Sequence, residues 1–417
     1  MPNTKKNQKK HEVIQMHDVV IIGSGPAGLS AAISCRENNL EVVVVDEFPK
    51  AGGRLLGQLH QEPTGEWWNG IKETEALLER ANALQTDIRL EVSVYHVEKN
   101  DETFKVYTNK GTIESKNVLI ATGAAETAAP IPGWTLPGVM SIGAAQVMTN
   151  VHRVKVGEKG IVVGVNVLSA AIAREMQLAG VNLHSMALPA ANIVTGDQSN
   201  PRKVMDALAR IAHLAPSKFI QFGSRFARAS SFVRNTAVKF FPPGGVKMWG
   251  MPVHIRKAIL SINGEDKVES VTMCKVTTDG APIAGTEEEI DVDFVCIAGG
   301  LYPLVELAAV MGVPFKYIEE LGGHVPVHNE QMETPIEGLY VAGNITGIES
   351  AKVAGAQGTV AGYSIAKHAL GDEAIGEHVK NSMEQVKTVR ANASIQFHPK
   401  IDQGRARIAE SFEVNHS

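Results

Sequence analysis

The feature that most constrains the fold is a glycine-rich loop between two apolar runs near the start of the chain. Residues 17 to 47 read HDVVIIGSGPAGLSAAISCRENNLEVVVVDE. The first apolar run ends at Gly23, a helix of small residues is predicted around Gly28, and the second run ends at Asp46. Strand, loop, helix, strand and acid follow in order within about 30 residues, which predicts a βαβ unit that binds a dinucleotide.

Each position in this loop has a mechanical reason. Gly23 permits the tight turn out of the strand, Gly25 lets backbone approach a pyrophosphate, and Gly28 lets the helix pack against the sheet. The pyrophosphate then lies at the helix N-terminus, where free N–H groups and the helix dipole favour negative charge. We expect Asp46 or Glu47 to accept hydrogen bonds from the ribose hydroxyls.

Three further segments distinguish FAD from NAD as the ligand: AGGRLLGQLHQ (51–61), NVLIATGA (117–124) and GLYVAGNITG (338–347). With the first loop, they resemble the FAD domain of flavoproteins that contain two dinucleotide-binding domains. The resemblance implies FAD as cofactor, and it places Asn344 where the family has an acid that binds the ribityl chain. An amide binds a hydroxyl without charge assistance. The predicted cofactor-binding residues are Gly23, Gly25, Pro26, Ala27, Gly28, Asp46, Glu47, Gly53, Arg54, Gln58, His60, Val94, Thr122, Gly123, Gly343, Asn344 and Gln357.

The same segments divide the chain. We expect an α/β fold with two Rossmann-like dinucleotide-binding domains, the second inserted in the first. The FAD-binding domain is predicted over residues 17–150 and 330–372, and the NAD(P)-type domain over 151–329. Residues 1–16 are expected to form a disordered basic tail, and residues 373–417 a C-terminal helical tail.

The second unit keeps the pattern of a nucleotide-binding loop but not its chemistry. Residues 160–180 read GIVVGVNVLSAAIAREMQLAG, so Gly164 remains while Asn166 and Ser169 replace two glycines. The next strand ends in LPAANIV, which offers no acid for a ribose and no arginine for a 2′-phosphate. We therefore expect a retained fold in which the NAD(P) site is lost or rebuilt.

A basic helical insert follows in this domain. Residues 202–257 contain eleven Lys or Arg residues and one acid, Asp206. A solvated helical face, a docking surface for an acidic partner subunit and a cradle for a phosphate-bearing ligand all fit this asymmetry.

Composition excludes several classes of function. A net charge of -5 over 417 residues gives no electrostatic case for nucleic acid or an anionic membrane. The start, MPNTKKNQKK, does not read as a signal peptide, no run suits a membrane span, and we expect a cytoplasmic location. Cys35, Cys274 and Cys296 form no CxxC pair. A redox-active dithiol, an iron–sulfur cluster and a cysteine zinc site are therefore not expected, and no metal site is predicted.

Taken together, GSGPAGLSAA, AGGRLLGQLHQ, ATGAAET, PGWTLPGVMSIGAAQ and GLYVAGNITGI resemble the FAD-binding alpha-type subunits of heteromeric amine and imino-acid dehydrogenases. That family includes subunits of hydrogen cyanide synthase, opine oxidase, hydroxyproline and proline dehydrogenases, and sarcosine oxidase. The resemblance covers about residues 17 to 370. It implies an FAD-dependent oxidoreductase that works beside a second, substrate-oxidising flavoprotein subunit on an amino or imino acid. Several relatives carry a cysteine-rich iron–sulfur module that this chain lacks.

Three functions remain open from the sequence. The first is the dehydrogenase subunit, with proline, hydroxyproline, sarcosine and opines all fitting as substrates. The second is a stand-alone NAD(P)H-dependent flavin oxidoreductase, and the third is a docking subunit that binds FAD without turnover. No catalytic base is assigned, since the sequence has no recognisable Ser/His/Asp set or metal-spaced histidines.

Overall fold

The computed structural model describes residues 16–62, 65–211, 231–393 and 396–416. Its strands form two large sheets and several short two-stranded ribbons. The strands are β1 (Met16–Ile22), β2 (Val42–Asp46), β3 (Leu59–Gln61), β4 (Trp67–Asn69), β5 (Asp87–Leu90), β6 (Val94–Asn100), β7 (Thr103–Thr108), β8 (Gly111–Ile120), β9 (Ala124–Glu126), β10 (Val139–Ser141), β11 (Gly160–Val163), β12 (Leu183–Pro189), β13 (Val246–Met248), β14 (Met251–Asn263), β15 (Ser270–Lys275), β16 (Glu288–Asp291), β17 (Phe294–Ile297), β18 (Leu301–Pro303), β19 (Phe315–Ile318), β20 (Gly323–Pro326) and β21 (Leu339–Val341).

Helices connect and cover the strands of both sheets. They are α1 (Pro26–Glu37), α2 (Gly70–Ala83), α3 (Ile142–Asn150), α4 (Val167–Leu178), α5 (Pro201–Ile211), α6 (Ser231–Lys239), α7 (Glu306–Val310), α8 (Ala351–Leu370), α9 (Ile375–Ala391) and α10 (Ile401–His416). Short 3-10 turns lie at Gly53–Gly57, Gly196–Ser199, Glu319–Leu321 and Gly343–Thr346.

The first sheet has the order β5-β2-β1-β8, with every one of these pairs parallel. The last residues of β8 pair in parallel with β21, and its first residues pair antiparallel with the β6–β7 hairpin. The glycine-rich loop leaves the carboxyl end of β1 in the middle of this sheet. That edge is where open parallel sheets bind their ligands.

Both faces of the first sheet are buried, which explains its unbroken valine and isoleucine runs. Val19 and Ile21 belong to a core shared with α1 and α8. Val20 and Ile22 point the other way, into a core with β6, β7 and α7. Because side chains alternate along a strand, a run without polar residues is required when both faces are covered.

The second sheet has the order β10-β17-β11-β12-β14-β15-β16, parallel as far as β14 and antiparallel beyond it. Its strands occur in the chain between β8 and β21 of the first sheet. The α/β prediction of two Rossmann-like domains, with the second inserted in the first, is therefore confirmed.

The C-terminal helices pack onto the first sheet's helical layer. Gly358 and Gly362 of α8 allow contact with α1, since a Cβ at Gly358 would lie 2.0 Å from the Ala27 carbonyl oxygen. Helix α9 packs along α8, and α10 buries Ile401 and Ile408 against residues of β19 and β20.

One end of the predicted N-terminal tail is corrected. Met16 is the first residue of β1, where its register partner is Glu114. The remainder of that prediction, residues 1–15, lies outside the described residues. No helix in the described part of the chain is both long enough and apolar enough to cross a membrane.

Candidate functional site

A cavity of about 870 Å³ opens at the carboxyl edge of the first sheet and extends to the face of α4. Its volume lies in the usual range for small-molecule and cofactor sites. The predicted residues that line it are Gly23, Gly25, Pro26, Ala27, Asp46, Glu47, Gly53, Arg54, Gln58, His60, Thr122, Gly123, Gly343 and Asn344.

The N-terminus of α1 is open toward this cavity. Gly25 is its N-cap residue and Pro26 its first helical residue, and among the residues that the structure describes no side chain caps it. A Cβ at Gly25 would have no described neighbour within 4 Å, whereas a Cβ at Gly28 would lie 1.8 Å from the Gly23 carbonyl oxygen. Gly28 is therefore needed for packing, and Gly25 leaves backbone N–H groups accessible to an anion.

The two candidate ribose acids have different surroundings. Asp46 Oδ2 accepts hydrogen bonds from the Ser24 N–H at 2.7 Å and the Ser24 hydroxyl at 2.6 Å. Asp46 Oδ1 accepts a third from the Phe48 N–H at 2.9 Å. Asp46 thus fixes the glycine-rich loop, while Glu47 is exposed at the cavity wall. Of the two acids, Glu47 has the freer carboxylate for a ribose diol.

The segment after β2 forms the next part of the wall. Gly53 lies close to the first loop, since a Cβ there would be 3.3 Å from Gly25 Cα. Arg54 Nε donates to the Ala124 carbonyl at 3.0 Å, and its Nη1 lies 3.4 Å from Glu126 Oε1. Arg54 therefore ties this turn to β9.

At the cavity mouth, the β3–β4 hairpin and the residue before it supply His60 and Gln58. Gln58 Oε1 accepts a hydrogen bond from Trp68 Nε1 at 3.1 Å. His60 Nε2 lies 3.6 Å from Glu62 Oε1, and burial holds the pKa of His60 below its usual value. Lys352, in the first turn of α8, pairs with the same Glu62 at 2.8 Å. The mouth is polar but its charges are already paired.

Two glycine turns close the remaining sides. The Thr122 hydroxyl donates to the Leu304 carbonyl at 2.7 Å, and the Leu304 N–H donates to the Gly123 carbonyl at 3.1 Å. Asn344 Oδ1 accepts the Glu349 N–H at 3.2 Å. Asn344 lines the cavity, so its amide nitrogen supplies a donor there, where an acid would supply only acceptors.

Three predicted residues lie away from the cavity. Gly28 packs against the Gly23 carbonyl, as described above. Gln357 is 1% exposed, and its Oε1 accepts the Gly343 N–H at 3.1 Å, so it shapes the loop from behind. Val94 pairs with Thr108 at the start of β6 and packs into the core on the far face of the sheet. The structure does not bring Val94 to the cavity, because β6 lies at the far edge of that sheet.

Sequence reasoning missed a buried acid at the α4 end of the cavity. Glu175 is 4% exposed and lines the cavity. Its Oε1 accepts the Leu59 N–H at 3.0 Å, and its Oε2 accepts Gln146 Nε2 at 2.7 Å and Asn150 Nδ2 at 2.9 Å. Burial raises the pKa of Glu175 to about 7, although the three hydrogen bonds oppose that rise. The one available signal was a carboxylate among the apolar residues of a predicted amphipathic helix.

The N-terminus of α4 is closed by its own side chains, unlike that of α1. Asn166 Oδ1 accepts the Ser169 N–H at 2.9 Å, and Ser169 Oγ accepts the Asn166 N–H at 2.9 Å. This pair is a complete capping box, and Asn166 Nδ2 also donates to the Ala298 carbonyl at 3.1 Å. The N–H groups that would bind a dinucleotide pyrophosphate are thereby occupied.

The end of β12 also lacks the features of a ribose site. Asn192 Oδ1 accepts the N–H groups of Val194 at 2.8 Å and Thr195 at 2.9 Å, which makes a local turn. The two replacements in the loop and the missing acid therefore act together against an NAD(P) site.

In the basic insert, four described cations pair with acids, three of them with acids outside it. Arg202 pairs with Asp279 at 3.1 Å, and Lys203 with Asp197 at 3.6 Å. Lys257 contacts Glu288, and Arg234 contacts Asp206 within the insert. The side chains of Arg210, Lys218, Arg225 and Arg228 lie outside the described residues.

The cysteines and histidines outside the cavity have structural surroundings. All three cysteines are buried and unbonded, and burial raises the pKa of Cys296 to about 12. His328 Nδ1 lies 2.7 Å from the Pro326 carbonyl, and burial lowers the pKa of His328 to about 4. Over the described ranges, no cluster of His, Cys, Asp and Glu side chains could hold a metal ion.

The open α1 terminus, the unobstructed Gly25 and the polar groups at Glu47 and Asn344 fit the phosphates, ribose and ribityl chain of FAD. Comparison with known families agrees with this geometry. The model of the pyridine nucleotide-disulphide oxidoreductase family matches residues 17–213 and 246–358. The chain belongs to this family, and its cofactor is FAD.

Individual relatives narrow the similarity. The chain is 26% identical over 363 residues to the A subunit of opine oxidase from Rhizobium meliloti, covering 83% of this chain and 62% of that protein. It is 25% identical over 361 residues to hydrogen cyanide synthase subunit HcnB of Pseudomonas aeruginosa, covering 83% of this chain and 70% of the relative. The chain thus spans somewhat under two thirds of the length of the opine oxidase relative.

Solved structures share the fold. L-proline dehydrogenase from P. horikoshii superposes with a TM-score of 0.61 at 21% identity, over 88% of this chain and 59% of that chain. Thioredoxin reductase from T. acidophilum superposes with a TM-score of 0.60 at 21% identity, over 85% of this chain and 99% of that one. The recognition of an FAD-binding subunit of the heteromeric dehydrogenase type is confirmed by these relatives together.

Proposed function

We propose that this chain is the FAD-carrying subunit of a two-flavoprotein oxidoreductase that acts on the CH–NH or CH–NH2 group of an amino or imino acid. Proline, hydroxyproline, sarcosine and opines are the candidate substrates. The names of the opine oxidase and hydrogen cyanide synthase relatives identify them as subunits, which supports a second subunit here. When bound, FAD supplies the redox chemistry, and the protein supplies orientation and electrostatics.

The observation that carries this proposal is the contrast between the two helix N-termini. Helix α1 presents open N–H groups to the cavity, while α4 satisfies its own through Asn166 and Ser169. A chain that keeps its FAD site and closes the pyrophosphate site of its second domain has no ordinary route for reduction by NAD(P)H. Electrons must then enter from another donor, and a partner flavoprotein meets that need.

We assign roles in the cavity on the same basis. The backbone of Gly25 and Ala27 binds the pyrophosphate, Glu47 binds the adenosine ribose, and Asn344 Nδ2 donates to a ribityl hydroxyl. The domain boundaries given above and a cytoplasmic location remain predictions of the same proposal.

The test is reconstitution with the flavoprotein encoded beside this chain. The purified FAD-loaded chain, the partner and the mixture are each given proline, hydroxyproline, sarcosine or an opine without oxygen, and the flavin absorption is followed. We expect the flavin of this chain to be reduced only in the mixture. Full reduction of the isolated chain by NADH or NADPH would favour the stand-alone reductase. A flavin that no donor reduces in any mixture would favour the docking subunit.

A further inference from the structure

Two arginines of the C-terminal helices meet on one buried carboxylate beside the cavity. Glu349 lies two residues before the start of α8, and its side chain is 7% exposed. Arg390 of α9 donates from Nε to Glu349 Oε1 at 2.6 Å and from Nη2 to Oε2 at 3.1 Å. Arg405 of α10 donates from Nε to Oε2 at 3.0 Å, and its Nη2 contacts the same oxygen. Both guanidinium groups therefore bind the same carboxylate.

This cluster holds the loop that carries Asn344. The Glu349 N–H donates to Asn344 Oδ1 at 3.2 Å. Arg405 Nη1 donates to the Thr346 carbonyl at 2.8 Å and to the Thr346 hydroxyl oxygen at 3.0 Å. The Thr346 hydroxyl in turn donates to the Gly343 carbonyl at 2.8 Å. The segment from Gly343 to Glu349 is thus tied to the C-terminal tail through consecutive hydrogen bonds.

The charges in this cluster are costly to separate. The side chains of Arg390 and Arg405 are each 13% exposed, so removing one partner would leave a poorly solvated charge. Burial opposes ionisation of Glu349, but the two arginines hold the pKa of Glu349 below its usual value. The carboxylate therefore stays ionised and bound at neutral pH.

The tail also forms part of the cavity wall. Thr388, Val389 and Asn392, at the end of α9, line it together with Phe397. The family match ends at residue 358, so these residues lie beyond the matched region. A segment outside the family match therefore both covers the cavity and fixes its loop.

We propose that Glu349, Arg390 and Arg405 are positioning residues for FAD. The tail holds residues 343–349 in the shape that binds the cofactor, so the affinity for FAD depends on α9 and α10. If the loop leaves that shape, the apparent affinity falls in proportion to the competent fraction. The inference rests on FAD binding in this cavity and is independent of the amine substrate.

Arg405→Gln tests this proposal, with Arg407→Gln as the matched control. Arg407 lies on the same helix and pairs with Glu320 at 2.9 Å, but its side chain is 46% exposed. The dissociation constant of FAD is measured by flavin fluorescence, and the visible circular dichroism of the bound flavin is recorded. We expect Arg405→Gln and Glu349→Gln to weaken FAD binding on the order of tenfold. Arg407→Gln should leave binding within about twofold of the wild type, since surface pairs contribute little.

Arg405→Lys keeps the proposal testable if Arg405→Gln does not fold. Lysine keeps the charge but loses the planar fork, so an intermediate dissociation constant and an altered flavin spectrum are expected. Wild-type affinity and an unchanged flavin spectrum in every folded variant at positions 349 and 405 would overturn the proposal. A wild-type chain that binds no FAD would instead overturn the assignment of the cavity itself.

Discussion

Glu175 makes the stability of this protein depend on pH in a predictable direction. The carboxyl group is buried beside the cavity, and burial raises its pKa to about 7 from 4.5. The folded protein therefore keeps a proton that the unfolded chain releases between these values. Stability must fall as the pH rises through this window, because the unfolded state then binds fewer protons than the native state.

The magnitude follows from the two pKa values. One pKa unit corresponds to about 1.4 kcal/mol, and the loss is complete only above pH 7. Integrating the linkage relation between about pH 5 and pH 8 gives a loss of about 2.5 kcal/mol from this one group. Glu175→Gln removes the titration while keeping a side chain of nearly the same shape. The variant should therefore lose about 2.5 kcal/mol less than the wild type over that range.

Urea unfolding at about pH 5 and pH 8, followed by tryptophan fluorescence at constant FAD, measures this difference. Glu79→Gln on the exposed face of α2 serves as the control, since it removes a carboxyl that stands in solvent. Glu175→Gln should flatten the pH dependence and Glu79→Gln should not. If wild type and Glu175→Gln lose stability in parallel, the buried carboxyl does not titrate as its surroundings require.

Three further perturbations follow from the cavity. Gly25→Val should leave the melting temperature of the FAD-free protein nearly unchanged but weaken FAD binding by about tenfold or more, through lost phosphate contacts; Gly28→Val should fail to fold, because its Cβ would meet the Gly23 carbonyl, and equal behaviour of the two variants would refute this division. Asn344→Asp should tighten FAD binding several-fold, measured by fluorescence titration, since a carboxylate accepts hydroxyl bonds more strongly; weaker binding would contradict it. FAD should be released as the pH falls below about 4.5, because protonation of Glu349 breaks its arginine pairs, and Glu349→Gln should show no such release in the same titration.

The sequence predicted the parts of the site that depend on local pattern. The loop from Gly23 to Gly28 follows from strand, glycine and helix order, and the structure places it at the cavity. Asn166 and Ser169 predicted a changed second loop, but their mutual capping was not inferred. The spacing of Asn166 and Ser169 is that of a capping box, so the signal was present in the residues.

The rest of the site depends on contacts between distant residues. Glu175 meets the Leu59 N–H across 116 positions, and Arg405 meets Glu349 across 56. No periodicity or motif pairs such residues, because their proximity arises from the packing of whole elements. The same limit explains Val94, whose strand has the expected pattern but belongs to the far edge of the sheet.

Electrons are not expected to enter this flavin from NAD(P)H, since α4 closes its own N-terminus. The direct measurement is an anaerobic titration of the FAD-loaded chain with NADH and then NADPH, followed by dithionite to show that the flavin is reducible. We predict an unchanged flavin band with both nucleotides and bleaching only with dithionite. Rapid bleaching by either nucleotide would contradict this prediction and identify the chain as a nicotinamide-dependent reductase.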